Sequence, residues 1–214
     1  MDTAKVARPR NAPATRGRIL KAAQEAFSHS GYTRTGIRDI AALAGVHSAL
    51  LMRYFGSKAG LFEAALRDAM HLRGIESIAH RDFAAIVADA IATDDDDSRT
   101  RALPMIALSI GDEESAEIAA EVSESQIIGP LADWLGPPDA RARAVEITML
   151  CHAFQIYLDR IPLITKNSSD MVRIRDWLER SVNDVVAKGL SAADGLRATQ
   201  TDLPSGFAPE DKRV

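Results

Sequence analysis

The side chains best suited to chemistry in this 214-residue chain are cations and small polar groups gathered at one end. Residues 1–58 hold ten Lys or Arg against three Asp or Glu, a net charge of +7, whereas residues 59–214 hold sixteen against twenty-seven. A basic end on an acidic chain suits a polyanion, although a solvated basic helix surface has the same composition. Arg8-Pro9-Arg10 sets two guanidiniums on a stiff extended segment, suited either to the narrow minor groove of A·T-rich DNA or to phosphate without preference. Farther along, His47, Ser48, Ala49, Met52 and Arg53 fall on the exposed side of a short predicted helix. Ser48 can bond a base edge or a phosphate, and Ala49 and Met52 can touch a thymine methyl. No side chain in that first turn offers the bidentate fork that fixes a guanine most strongly, so base discrimination is expected to be distributed.

Catalysis and metal binding find less support. The sequence has no Gly-x-Ser-x-Gly elbow, no Gly-x-Gly-x-x-Gly and no P-loop, so no enzyme activity and no cofactor are implied. Cys151 and His152 are adjacent, which on a helix turns them about 100° apart and denies them a shared proton. Asp68 and His71 lie three apart and Glu76 and His80 four apart, spacings that a metal-binding helical bundle uses. Such a bundle needs four helices with Glu and Glu-x-x-His, a set absent here, so solvated helix faces are the plainer reading. The run Asp94 to Asp97 lacks the glycine and terminal glutamate of a calcium loop.

The elements that must position these groups are helices. With 46% hydrophobic and 26% charged residues the chain can bury an ordinary core. Uncharged runs such as Ile147 to Leu158, 12 residues, and Ile40 to Met52, 13 residues, are too short to span a bilayer, so a cytoplasmic protein without membrane contact is expected. The single cysteine excludes an internal disulfide and a thiolate metal cage. After a basic flexible arm over residues 1–14, Ile19, Ala22, Ala23, Ala26 and Phe27 form the stripe of an amphipathic helix capped by Thr15 and ended by Gly31. A second helix spans about Gly36 to Ala44, Gly45 breaks it, and a third runs from about His47 to Phe55, anchored by Leu50, Leu51 and Phe55. Ser57 caps a fourth, which buries Leu61, Phe62, Ala65, Leu66 and Ala69. Five more follow, roughly Ile75 to Ala92, Arg99 to Ile110, Glu114 to Leu135, Asp139 to Ile161 and Asp170 to Lys188. Pro104 must sit in a first turn or kink its helix. No segment alternates with period two, so the fold class is all-α with about nine helices.

A short helix, a glycine turn and a second helix inside the basic segment form the layout of a DNA-reading helix-turn-helix. Thr15-Arg-Gly-Arg-Ile-Leu through Gly31-Tyr32, then Ile37-Arg-Asp-Ile-Ala-Ala-Leu-Ala-Gly-Val46, then Arg53-Tyr-Phe-Gly-Ser-Lys58 and Leu61-Phe62 resemble the N-terminal domain of the TetR family of bacterial transcriptional repressors. The resemblance covers about Thr15 to Leu66. It implies a homodimer whose recognition helices enter successive major grooves of a palindromic double-stranded DNA operator, and a larger helical domain that binds a small-molecule effector. Carried over by position, Ser48, Ala49 and Met52 look like base-facing residues, and Tyr54, Lys58 and Arg38 like phosphate contacts. His47, Ala49, Leu50 and Met52 depart from the common pattern of serine, glycine, threonine and tyrosine, which leaves the operator sequence open.

The domains implied are a helix-turn-helix unit over residues 15–56, an effector-binding and dimerisation domain over 57–189, and a disordered tail over 190–214. The helix from Asp139 is apolar on two sides, with Met149 on one and Phe154 and Leu158 on the other; the last helix offers Ile174, Trp177, Leu178, Val182 and Val185. They suit an intersubunit four-helix bundle, where the resemblance also places the dimer interface, or else the centre of one large core. Phe83, Met105, Leu108, Met149, His152 and Gln155 lie in helices that line the effector cavity of related proteins. An apolar or amphipathic effector fits them, and each is also an ordinary core candidate. A protein of this fold that organises the chromosome without an effector is the remaining alternative.

Overall fold

The computed structural model describes residues 12–70, 72, 74–92, 99–159, 161, 163 and 168–201. Arg8, Arg10, His71 and the run Asp94 to Asp97 lie outside them. Helix α1 (Ala12–Arg34) starts a turn before Thr15, because Pro13 in a first turn has no N–H to leave unpaired. At Gly31, with φ 73° and ψ 174°, the helix breaks as expected, and Tyr32 resumes a last turn. Helices α2 (Ile37–Ala44), α3 (Ser48–Phe55) and α4 (Lys58–Ala69) follow, the last capped by Ser57, whose Oγ accepts from the Gly60 N–H at 2.9 Å.

Beyond α4 the helix from Ile75 divides into a 3-10 turn (Ile75–Ser77) and α5 (His80–Ala92). Next come α6 (Arg99–Ala107), which carries Pro104 inside it, and α7 (Glu113–Ser123). A widened π turn (Glu124–Ile128) leads α7 directly into α8 (Gly129–Leu135), so this stretch forms one continuous body, and nine helical bodies stand among the described residues. The fold closes with α9 (Ala140–Asp159) and α10 (Ser169–Thr201). Helix α10 runs well past Lys188, against the expectation that residues 190–201 belong to a tail without structure.

Two cores organise these helices, and their division does not follow the boundary expected at residue 57. The first gathers Phe27, Tyr32, Ile40, Leu51 and Phe62 with Met105 of α6 and Val122 of α7. The second joins α5, α8, α9 and α10 through Phe83, Leu131, Ile147, Phe154 and Leu178. Arg143, only 3% exposed, braces the second core: its guanidinium donates to the backbone carbonyls of Leu135, Gly136 and Pro138 at the end of α8, where the helix dipole favours a cation. A Cβ at Gly189 would overlap that guanidinium and force it to shift from those carbonyls.

Candidate functional site

The turn between α2 and α3 depends on Gly45, whose left-handed backbone (φ 63°, ψ 41°) lets its N–H and that of Val46 close the end of α2 on the Ala42 and Ala41 carbonyls. Helix α3 then begins at Ser48, with His47 in extended conformation before it and no side-chain cap on its first N–H groups. Leu51 anchors α3 in the first core, and Phe55, half-buried, lies beneath the Arg16 guanidinium at 5.4 Å. The opposite face leaves His47, Ala49, Met52 and Arg53 exposed and Ser48 half-buried, so these five sequence candidates share one surface. Arg38 is exposed in the first turn of α2. Tyr54 is half-buried, its ring 6.2 Å from that of Phe55.

Lys58 is held more closely than its expected role suggests. Its Nζ sits 4.4 Å from the centre of the Tyr32 ring and 3.4 Å from the Thr33 carbonyl oxygen, to which it donates. Exposed Thr33 and Arg34 therefore border the same surface, which the sequence reading overlooked; a basic residue just before the second helix was the available signal.

The second candidate site is a cavity of about 260 Å³ in the C-terminal half, walled by α4, α5, α6 and α9. Of the expected effector contacts, Phe83, His152 and Gln155 line it. The other three do not line it. Met105 is fully buried in the first core, on the side of α6 turned away from the cavity. Leu108 follows the end of α6, 39% exposed, its carbonyl against Gly31. Met149 is 65% exposed on the outer side of α9. Thr148 and Cys151, not proposed from sequence, share the cavity face of α9; Thr148 stands four residues before His152 and three before Cys151, and that spacing was the missed signal. Burial pushes the Cys151 thiol up to about 12 and holds His152 below its ordinary value, so both are neutral near pH 7.

Between the two sites lies a close junction. The Tyr32 N–H donates to Ser109 Oγ at 2.9 Å, the Ser115 hydroxyl donates to the Ser109 carbonyl at 2.7 Å, and the Tyr32 hydroxyl donates to a Glu114 carboxylate oxygen. Burial first, then the Glu114 bond and the charges of Glu114 and Asp112, raise the Tyr32 phenol well above its usual range, which keeps it a donor.

The expected dimer residues divide. Phe154, Leu158, Leu178, Val182 and Val185 are buried in the chain's own second core and Ile174 packs half-buried against it, because α9 and α10 need those sides for α5 and α8. Trp177 is 49% exposed, and Met149, Ala153 and Tyr157 at i, i+4 and i+8 leave a bare stripe on α9. Among the described residues no group of three or more His, Cys, Asp or Glu gathers as a metal site, and no helix is long and apolar enough to cross a membrane. Glu76 is exposed, and His80 instead stacks on Trp134 at 4.1 Å.

Comparison with known proteins adds two family matches: residues 19–65 match the model of bacterial regulatory proteins of the tetR family, and residues 83–172 that of the tetracyclin repressor-like C-terminal domain. The chain is 44% identical over 57 residues to the HTH-type transcriptional regulator TtgR of Pseudomonas putida, 27% of each protein. It is 39% identical over 82 residues to the HTH-type transcriptional regulator RutR of Escherichia coli, 38% of this chain and 39% of that protein. The chain thus matches well under half the length of these curated relatives. Across 80% of this chain and 97% of the other, the fold matches NalD, the secondary repressor of the MexAB-OprM multidrug efflux pump in Pseudomonas aeruginosa, with a TM-score of 0.61 and 20% identity.

Proposed function

We propose that this chain, which belongs to the TetR family of bacterial regulatory proteins, is a DNA-binding transcriptional regulator: a repressor that grips a palindromic operator as a homodimer and releases it when a small molecule fills the cavity. The observation that carries the reading is the bare face of α3, presented by the Gly45 turn in the basic segment and ringed by Arg38, Arg53 and Lys58. Ser48, Ala49 and Met52 read base edges, while Tyr54, Lys58 and Arg38 hold phosphates. A second copy covers Met149, Tyr157 and Trp177, which a lone chain exposes to water.

Two rods couple the sites. Helix α4 lines the cavity with Ala69 and Met70 at one end and carries Lys58 at the other. Helix α6 turns Leu103 and Ile106 toward the cavity and Met105 into the core shared with α1, and its end is tied to Tyr32. An occupant that displaces either rod changes the separation of the two recognition helices, which must match half-sites about 34 Å apart. Selection of bound DNA from a random pool tests the reading: a palindrome with half-sites one helical turn or a small multiple apart is expected. Binding without a selected sequence would overturn it in favour of a chromosome-organising role.

A further inference from the structure

The cavity that would receive the effector is uneven in polarity. Its walls are mostly aliphatic and aromatic, Leu103, Ile106 and Phe83 among them, and among the described residues no charged side chain lines it. Its polar side chains Thr148, His152 and Gln155 stand on one helix at i, i+4 and i+7, which strings them along a single wall over about 10 Å. The Thr148 hydroxyl gives its proton to the Ala144 carbonyl at 2.8 Å, so it offers the cavity only lone pairs. Neither the imidazole of His152 nor the amide of Gln155 has a hydrogen-bond partner among the described residues, so both donors and acceptors stand ready on that wall. Ile86, at the wall and 46% exposed, marks an apolar mouth.

Resting on the effector-relieved reading above, we infer that the effector is an uncharged, mainly apolar molecule of about 10–15 non-hydrogen atoms whose amide- or hydroxyl-type edge docks along Thr148, His152 and Gln155. The size follows from volume: a cavity of roughly 150 Å³ holds benzene, and this one holds about 260 Å³. The absence of charge follows from the walls. A carboxylate or ammonium would enter a low-dielectric space with no counter-charge among the described residues, and burial keeps His152 from supplying one. The polar edge follows from the unpartnered groups, which a purely apolar occupant would strip of water without replacing its hydrogen bonds.

The test compares four ligands on one skeleton by calorimetric titration of the full-length protein: 2-naphthamide, naphthalene, 2-naphthoate and 2-naphthylmethylammonium. The amide is expected to bind at least about tenfold more tightly than the two charged compounds and than naphthalene. Gln155→Leu is expected to bring the amide down to the naphthalene level. A charged compound binding as tightly as the amide, naphthalene matching it, unchanged amide affinity in both Gln155→Leu and His152→Leu, or no binding of the amide would each overturn the inference. The wild-type series needs no variant to fold. Repeating it with the selected operator separates the two readings: an amide that binds without loosening DNA upholds the ligand class and defeats effector-relieved repression. Release of DNA by a charged compound alone does the reverse.

Discussion

Replacing Gly31 with alanine attacks the junction between the N-terminal helices and the cavity. At φ 73° and ψ 174° this backbone lies in a region that only glycine visits readily, and forcing alanine into it costs about 1–3 kcal/mol. A Cβ at this position would also overlap the Leu108 backbone carbonyl, which cannot rotate aside as a side chain would. Overpacking of that kind adds about 1–3 kcal/mol, giving a central expectation of about 4 kcal/mol. At about 2–4 °C per kcal/mol for a chain of this size, the melting temperature should fall by about 8–16 °C. Gly45→Ala supplies the control, because Gly45 also has positive φ (63°) but nothing lies within 4 Å of its would-be Cβ. Only the left-handed backbone is penalised there, by about 1–2 kcal/mol, or about 2–8 °C. Calorimetric melting of both variants separates backbone strain from contact with Leu108. If Gly31→Ala melts no lower than Gly45→Ala, α1 and α6 are not in contact as described and the coupling through them falls.

At the DNA surface, Lys58→Ala should weaken all sequences alike and lower the salt slope of binding by about one, whereas Met52→Ala should change base preference; the opposite pattern in a salt titration and a binding-site selection would exchange their roles. Trp177→Asp should leave a folded chain that sediments as a monomer, because its side chain is half exposed, while Phe154→Asp should not fold, because it places a carboxylate in the second core. Burial lowers the folded-state value of His152, so the unfolded chain takes up its proton first as pH falls through about 6.5, and stability is lost below that point. Urea midpoints between pH 7.5 and 5.5 should therefore decline less steeply in His152→Gln than in the parent, and equal slopes would show that His152 is not buried as described.

Local chemistry made the N-terminal half legible in sequence. Gly31, Gly45 and Ser57 each act through their own backbone or hydroxyl, so the break, the turn and the cap could be placed to the residue. The apolar stripe of α4 reappears intact, since Leu61, Phe62, Ala65, Leu66 and Ala69 are all buried. The C-terminal half was legible only as helices. There, α6 and α9 are apolar on more than one side, and periodicity marks an apolar side without naming what covers it. Sequence marks Met105 and Met149 alike as effector candidates, yet tertiary packing sends one into the first core and the other toward water. Phe154 and Trp177, alike dimer candidates in sequence, divide the same way, inside and outside. Arg143 shows the same limit in polar form, because its partners are backbone carbonyls brought together only when α8 ends beside it.

The misplacement of Met105 bears on the coupling itself. Had it lined the cavity, α6 would be a wall of the cavity and little else, and α4 would be the main link from the cavity to the first core. With Leu103 and Ile106 on one side and Met105 buried among α1 and α4 residues on the other, α6 belongs to both cores. A close-packed interior does not absorb a moved side chain locally, so displacement of Ile106 by an occupant must be taken up by Met105 or by the tie from Ser109 to Tyr32. Tyr32 in turn lies against Phe62 of α4 and beneath Lys58, so both rods converge on one ring. Shifting that ring would move Lys58 and the start of α4 together. On the proposed reading, an occupant of the cavity would thereby oppose DNA binding without any change within α3.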